Sequence, residues 1–403
     1  MRIGFSQLSE GKAFPIFAAA ALALLIGLTT PTQARDSAST GEEAEATQAP
    51  LQIVVSLPKQ QMKLYRGTEL VKTTRVSSGR QGYSTPTGVF SILQKRRRHF
   101  SNLYNNAPMP YMQRLTWSGI ALHEGVVPNY PASHGCIRIP HGHARELFGL
   151  TERGGHVVIT RDDAQPSSIE HEALFQPYAP VETASLAPDR AGEAAYHHLA
   201  TLEKEIGNWR SYIERAGDPV RILVTRRTGR EKNMDVQRLL GEIGYDPGPV
   251  DGWIGKNTIA ALKDFQEDYG LRPTGVIDAA LIAELHDAAF AGKPEQGHIY
   301  VRQRFKEVFD APISLDDPDQ PLGTHMYLAM DFEDGDRDVG WTAITAQQAE
   351  GMTPETALDR IDVPDDVRQR IALMLTPGSS LIISDHGLGK ETGKGTDFVV
   401  LTK

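Results

Sequence analysis

Between residues 51 and 161 the chain is written in short apolar runs broken by turn residues, and that punctuation limits the stretch to a strand-rich fold. Ile53-Val54-Val55-Ser56-Leu57, Gln61-Met62-Lys63-Leu64-Tyr65 and residues 71–76 read as strands separated by Pro58-Lys59 and Arg66-Gly67. Pro86-Thr87-Gly88 is a turn that leads into the strand Val89-Phe90-Ser91-Ile92-Leu93. Gly119-Ile120-Ala121-Leu122-His123 is a further strand, ending on a histidine. A helix over 141–148 then leads through Gly154-Gly155 into a strand over 156–160. Many short strands and few helices give an α+β expectation, mainly β.

At 403 residues the chain exceeds what one hydrophobic core organises. Residues 35–50 are small, acidic and polar and read as a linker, and residues 162–195, rich in Pro, Ser, Ala and Glu, as a connector. Residues 196–232 hold an amphipathic packing helix, with Leu199, Leu202, Ile206, Trp209 and Ile213 on one stripe, and a short strand at 221–225. Residues 233–289 read as a compact module of three helices, over 234–243, 256–269 and 279–289, the last capped by Asp278. Residues 298–403 form a C-terminal α+β region. Its helix–turn–strand layout at 367–384 repeats that at 143–160, and Pro321 to Tyr327 loosely repeats Pro86 to Phe90. We therefore treat 298–403 as a possible degenerate copy of the first domain, lacking cysteine, with the helical module between the copies.

A formal net charge of -9 argues against a nucleic-acid partner, which needs a basic face, and Lys95-Arg96-Arg97-Arg98 reads as a solvated strand end. Residues 1–34 have the build of a signal peptide: Arg2 and Lys12 supply positive charge before an apolar core at 14–28, then Thr32-Gln33-Ala34 offers a cleavage site. The apolar core is short for a membrane span, so export to the periplasm is expected, with no stable span after cleavage. The chain has one cysteine, Cys136. A lone thiol in an oxidising compartment is either a small buried core residue or a group with a task.

Its neighbours favour the task. A thiol attacks a carbonyl as thiolate and needs a base within reach. In Ser133-His134-Gly135-Cys136-Ile137-Arg138, His134 stands two residues from the sulfur, and His123 can close on it across a loop stiffened by Pro128 and Pro131. Gly135 allows a sharp turn that points successive amides at one spot, an oxyanion hole. Arg138 brings a cation that helps ionisation or holds a substrate carboxylate. The crowd of His123, His134, Cys136, His141 and His143 also admits a metal site, but it lacks paired ligand spacing and offers only one thiolate.

His123 followed by Ser133-His134-Gly135-Cys136-Ile137-Arg138 resembles the signature of the YkuD-type L,D-transpeptidases, and Thr85-Pro86-Thr87-Gly88-Val89-Phe90 and Met109-Pro110-Tyr111-Met112 resemble two further segments of that family. The resemblance implies a sandwich-like catalytic domain and acyl transfer without metal or organic cofactor. It makes Cys136 the nucleophile, His123 the proton donor and acceptor oriented by the Glu124 carbonyl, and the amides of His134, Gly135 and Cys136 the oxyanion hole. Arg138 takes a supporting or carboxylate-binding role, and Tyr111 and Ser133 bind substrate. The implied reaction forms a thioester with a peptidoglycan stem peptide and passes it to an amine, giving a 3-3 cross-link in cell wall biogenesis. Another acceptor, or a non-catalytic wall-binding scaffold, stays open. Val236-Gln237-Arg238-Leu239-Leu240, Gly244-Tyr245, Val250-Asp251-Gly252, Thr258 and Phe265-Gln266 resemble a three-helix peptidoglycan-binding domain, which implies peptidoglycan as partner.

Overall fold

The computed structural model of the protein describes residues 49–177, 218–227, 229–291, 295–333, 338–392 and 395–402. The segment expected as a signal peptide, most of the linker, the second half of the connector and the helix expected at 196–216 lie outside the described residues. No helix among the described residues is long and apolar enough to cross a membrane.

The architecture is mixed α+β and mainly β, as expected. In the first domain β1 (Leu51–Ser56), β2 (Gln61–Arg66), β3 (Glu69–Arg75) and β4 (Thr87–Ser91) precede a small sheet of β5 (Gln94–Arg96), β6 (Met112–Arg114), β7 (Ala121–Glu124) and β8 (Ile137–Ile139). Helix α1 (His141–Leu150) and strand β9 (His156–Thr160) complete it. A short strand β10 (Ser167–Ile169) and strand β11 (Arg221–Arg226) come next, then the helical module: α2 (Gly229–Glu242), α3 (Lys256–Asp268) and α4 (Ala279–Ala288). Beyond it come β12 (Gly297–Gln303), β13 (Lys306–Leu315), β14 (Thr324–Glu333), β15 (Asp338–Gln347), α5 (Pro354–Asp359), β16 (Ile361–Asp362), α6 (Asp365–Ala372), β17 (Ser380–Ser384) and β18 (Val400–Thr402).

The first large sheet has the order β18-β4-β9-β1-β2-β3, and the second contains β15-β14-β17-β11-β12-β13. Strand directions correspond as well. β1 runs parallel to β9 and antiparallel to β2, and β11 runs parallel to β17 and antiparallel to β12. The region expected to begin at His298 thus takes its central strand from β11, ahead of the helical module. The module is inserted between β11 and β12, adjacent strands of the second sheet, rather than in front of that sheet. A short apolar run such as Ile222-Leu223-Val224 does not reveal its partners, because pairing is a long-range property.

The strands at the centre of both sheets are buried on both faces, which explains their unbroken apolar runs. Val54 and Val158, partners in the first ladder, pack face to face with Leu223 and Ile382, partners in the second. Their neighbours point the other way. Ile53, Val55, Val157 and Ile159 meet Ala144 and Leu147 of α1, and Ile222, Val224, Leu381 and Ile383 meet Val367 and Ile371 of α6. Two sheets therefore stack back to back, each covered outside by its own helix.

The helical module has a core of Val236, Leu239 and Leu240 from α2, Ala261, Leu262 and Phe265 from α3, and Leu281 and Leu285 from α4. Its motif residues hold turns. Buried Gln237 accepts the amides of Asp251 (3.1 Å) and Gly252 (2.8 Å) and donates to the Trp253 carbonyl (3.0 Å). Gln266 accepts the Gly275 amide at 2.8 Å, and Asp278 caps α4 by accepting the Leu281 amide at 2.9 Å.

Candidate active site

The small sheet builds the site by alternation along its strands. On β7 Leu122 turns into the core while Ala121 and His123 face a pocket; on β8 Ile137 and Ile139 turn in while Arg138 faces out. The parallel register of β7 and β8 sets His123 opposite Arg138, and Cys136 lies two residues before Arg138 on the same side. His123, Cys136 and Arg138 consequently border one pocket of about 360 Å³.

The Nδ1 of His123 lies 2.6 Å from the carbonyl oxygen of Glu124. A carbonyl only accepts, so Nδ1 carries the proton and Nε2 is left with its lone pair. Burial pushes the imidazole down to about 4, against the favourable Glu124 carbonyl and with help from the Arg138 charge. Burial pushes the Cys136 thiol up, opposed by the backbone at Ala121 and by the guanidinium groups of Arg114 and Arg138. At rest the pair is neutral at neutral pH, and the thiol donates to the Gly119 carbonyl with Sγ 3.4 Å from the oxygen.

The loop before Cys136 is bolted to residues 77–85. Ser77 and Arg138 exchange backbone bonds at 3.0 Å, and the Ser133 amide donates to the Ser78 carbonyl at 3.0 Å. Thr85 accepts the Gly79 amide (2.8 Å) and donates to the Gly135 carbonyl (2.7 Å). A side chain at Gly79 would collide with the Tyr83 carbonyl oxygen, and Gly135 sits at φ +110°, where L-residues are strained.

The His134 ring lies between Tyr83 and Tyr104, at 4.6 and 4.8 Å, and its Nε2 is 2.9 Å from Arg80 Nη2. It forms an aromatic wall of the pocket. The Gly135 amide donates to Ser133 Oγ at 3.1 Å, and the same hydroxyl donates to the Cys136 carbonyl. Ser133 thus braces its own loop while also lining the pocket, where a role in binding substrate is expected of it. Tyr111, also expected to bind substrate, sits at φ +53° with its ring against His141 and Phe148 of α1, beside rather than in the pocket lining. His141 pairs with Glu124 at 2.8 Å and His143 bonds Thr74 Oγ1 at 3.0 Å, so neither joins Cys136.

Several wall residues were not anticipated from sequence. Met112 and Arg114 of β6 alternate outward beside Ala121 and His123, a period-two signal present in the chain. Residues 99–109 form a flap closed by Ser101 N–H to Ala107 (2.9 Å) and Met109 N–H to His99 (2.8 Å), with Leu103 and Tyr104 on the pocket side.

Residues 50–159 match the sequence profile of the L,D-transpeptidase catalytic domain. Residues 230–285 match that of a putative peptidoglycan binding domain. No curated protein matches the chain. Among solved structures, an L,D-transpeptidase from Mycobacterium smegmatis is similar at 19% identity over 28% of this chain and 59% of that one, with a TM-score of 0.27. One from Stackebrandtia nassauensis is 23% identical over 30% of this chain and 60% of that one, TM-score 0.26. One from Xylanimonas cellulosilytica is 25% identical over 28% of this chain and 62% of that one, TM-score 0.26. The chain thus spans about three-fifths of the length of these structures. The protein carries an L,D-transpeptidase catalytic domain of the YkuD type, with a peptidoglycan-binding domain set behind it in the chain.

Proposed function

We propose that the protein is a cysteine L,D-transpeptidase that remodels peptidoglycan. The observation that carries this reading is the parallel register that puts His123 and Cys136 on one face of one pocket, with the His123 tautomer fixed by Glu124. Cys136 gives its proton to Nε2 of His123 and its electron pair to the carbonyl carbon of the L-centre residue of a donor stem peptide. Backbone amides of the His134–Cys136 turn meet the developing oxyanion. The Gly135 amide joins them only by giving up its bond to Ser133. Collapse breaks the bond to the terminal D-alanine, whose nitrogen takes the proton from His123, and leaves a thioester. An acceptor amine then passes a proton to His123, attacks the thioester and expels the thiolate, which regains the proton. With an amine from a neighbouring stem the product is a 3-3 cross-link.

The wall-binding module raises the local concentration of enzyme on a polymeric substrate. Export to the periplasm belongs to the same proposal and rests on the sequence pattern of residues 1–34.

A carbapenem is the direct probe, because its strained carbonyl acylates an activated thiol. Intact-protein mass is expected to show one adduct on the wild type and none on Cys136→Ala. An unmodified wild type, or an equal adduct on the variant, removes the cysteine mechanism. Mass analysis of products from defined muropeptides then reads the acceptor: dimers mean cross-linking, tripeptides alone mean hydrolysis.

A further inference from the structure

Residues 385–392 leave the end of β17 in the second sheet and reach the turn whose carbonyl accepts the thiol of Cys136. Their start is pinned on the second sheet. Asp385 accepts the amides of Leu322 (2.7 Å) and Gly323 (3.0 Å) and pairs with Arg226 at 3.0 Å. Gly387 lies against the helical module, where an added Cβ would come within 2.8 Å of Glu231 Oε1 on α2. The far end is pinned too, since Thr392 Oγ1 donates to the Val399 carbonyl (2.9 Å) and accepts the Val399 amide (3.0 Å).

Between these anchors the Glu391 carboxylate accepts two successive backbone amides of the first domain, Trp117 at 2.6 Å and Ser118 at 3.2 Å. Ionised acceptors make the stronger hydrogen bonds, and two adjacent amides fix direction as well as distance. Trp117 and Ser118 belong to a tight turn. Buried Thr116 accepts the Ile120 amide on its hydroxyl (2.9 Å), and its carbonyl takes the Gly119 amide (3.2 Å). The Gly119 carbonyl of that turn receives the thiol of Cys136.

Water would satisfy the two amides equally well but would not set where the turn sits. We propose that Glu391 is a positioning residue for Cys136: the second sheet, which has no cysteine, holds through it the turn on which the thiol rests. The proposal deepens the transpeptidase reading and rests on it for its acylation measurement.

Cys136 is the only cysteine, so its reactivity is read without interference. Glu391→Ala and Glu391→Gln are compared with wild type, full chain, by the carbapenem acylation rate constant, the carbapenem binding constant, iodoacetamide alkylation and Tm. A loosened turn misplaces the sulfur for an oriented attack yet exposes it to a small reagent. Glu391→Ala is expected to slow acylation roughly tenfold and to speed alkylation about threefold, with binding and Tm near wild type. Glu391→Gln, which keeps a carbonyl oxygen for an amide, should recover most of the acylation rate. Acylation within twofold of wild type in Glu391→Ala overturns the proposal, as does a loss in which rate, binding and Tm fall together and Gln restores nothing. A wild type that carbapenem leaves unmodified sinks the transpeptidase reading instead, and alkylation rates then still decide the positioning role.

Discussion

The two large sheets share the order and directions of five strands, β4-β9-β1-β2-β3 and β14-β17-β11-β12-β13, and the placement of one helix before the strand parallel to the first, yet the pocket with Cys136 is built beside only one of them. The difference lies in the chain beyond the fourth strand. In the first domain it builds the small sheet β5 to β8 and its flap before α1. After β14 the described residues hold β15, α5 and β16 before α6, and β15 simply extends the sheet. The scaffold is common to both and the site is a graft on it, so a strand order by itself carries no chemistry.

Each half also buries a histidine that burial pushes down to about 4, and these two sharpen the comparison most. His325 has both nitrogens committed, Nδ1 to Thr345 Oγ1 and Nε2 to the Leu322 carbonyl, each at 3.0 Å. His123 has its Nδ1 bonded to Glu124 and borders the pocket. His123→Ala is expected to lower turnover by about 10²- to 10⁴-fold with Tm nearly unchanged, as for loss of a general base. His325→Ala should do the reverse, costing about 1–3 kcal/mol through stranded buried partners while sparing acylation below its Tm. Equal activity losses in the two variants would erase the distinction. Both imidazoles are neutral in the fold and protonate near 6.5 when unfolded. Their stabilisation is fully present above pH 6.5 and is lost as pH falls from there toward 4. The acylation rate should likewise hold level through neutral pH and decline toward pH 4.

The face between the sheets offers the next test. Leu223 is fully buried against Val54 and Val158 across the stack. Leu223→Ala is expected to cost about 2–5 kcal/mol. If the halves unfold as one unit, the single thermal transition moves down intact. Should it split, with acylation capacity surviving the first step, the sheets are energetically separate and the second is dispensable to the first.

Much of this was legible in the chain because it is local. The apolar runs at 53–57 and 156–160 sit within a residue or two of strands β1 and β9, and Asp278 caps α4 as a helix start of that kind requires. The loop from Ser133 to Arg138, the His123 strand and the Glu124 carbonyl also derive from neighbours in sequence. What was not legible is long-range. Nothing in Ile222-Leu223-Val224 says that it pairs with 299–301 on the far side of a helical module. The contact of Glu391 with Trp117 spans 274 positions and depends on two folded units meeting. The local bonds of Ser133 were not read from the sequence either: its hydroxyl, which lines the pocket, also bonds backbone groups two and three residues away.

Tyr111 is the finest test, since the family resemblance assigns it to substrate binding while its ring packs against α1. Its left-handed backbone sends the ring to the α1 side, with centroids 6.1 Å from His141 and 5.8 Å from Phe148, both edge-on. An aromatic edge contact of that kind contributes about 0.5–1.5 kcal/mol. Tyr111→Leu should therefore lower stability by about that much and leave the KM for a donor stem peptide unchanged, whereas a groove residue would raise KM with little effect on Tm. A raised KM would mean that the ring swings into the pocket when substrate binds. The site would then borrow a side chain from the first domain's own core.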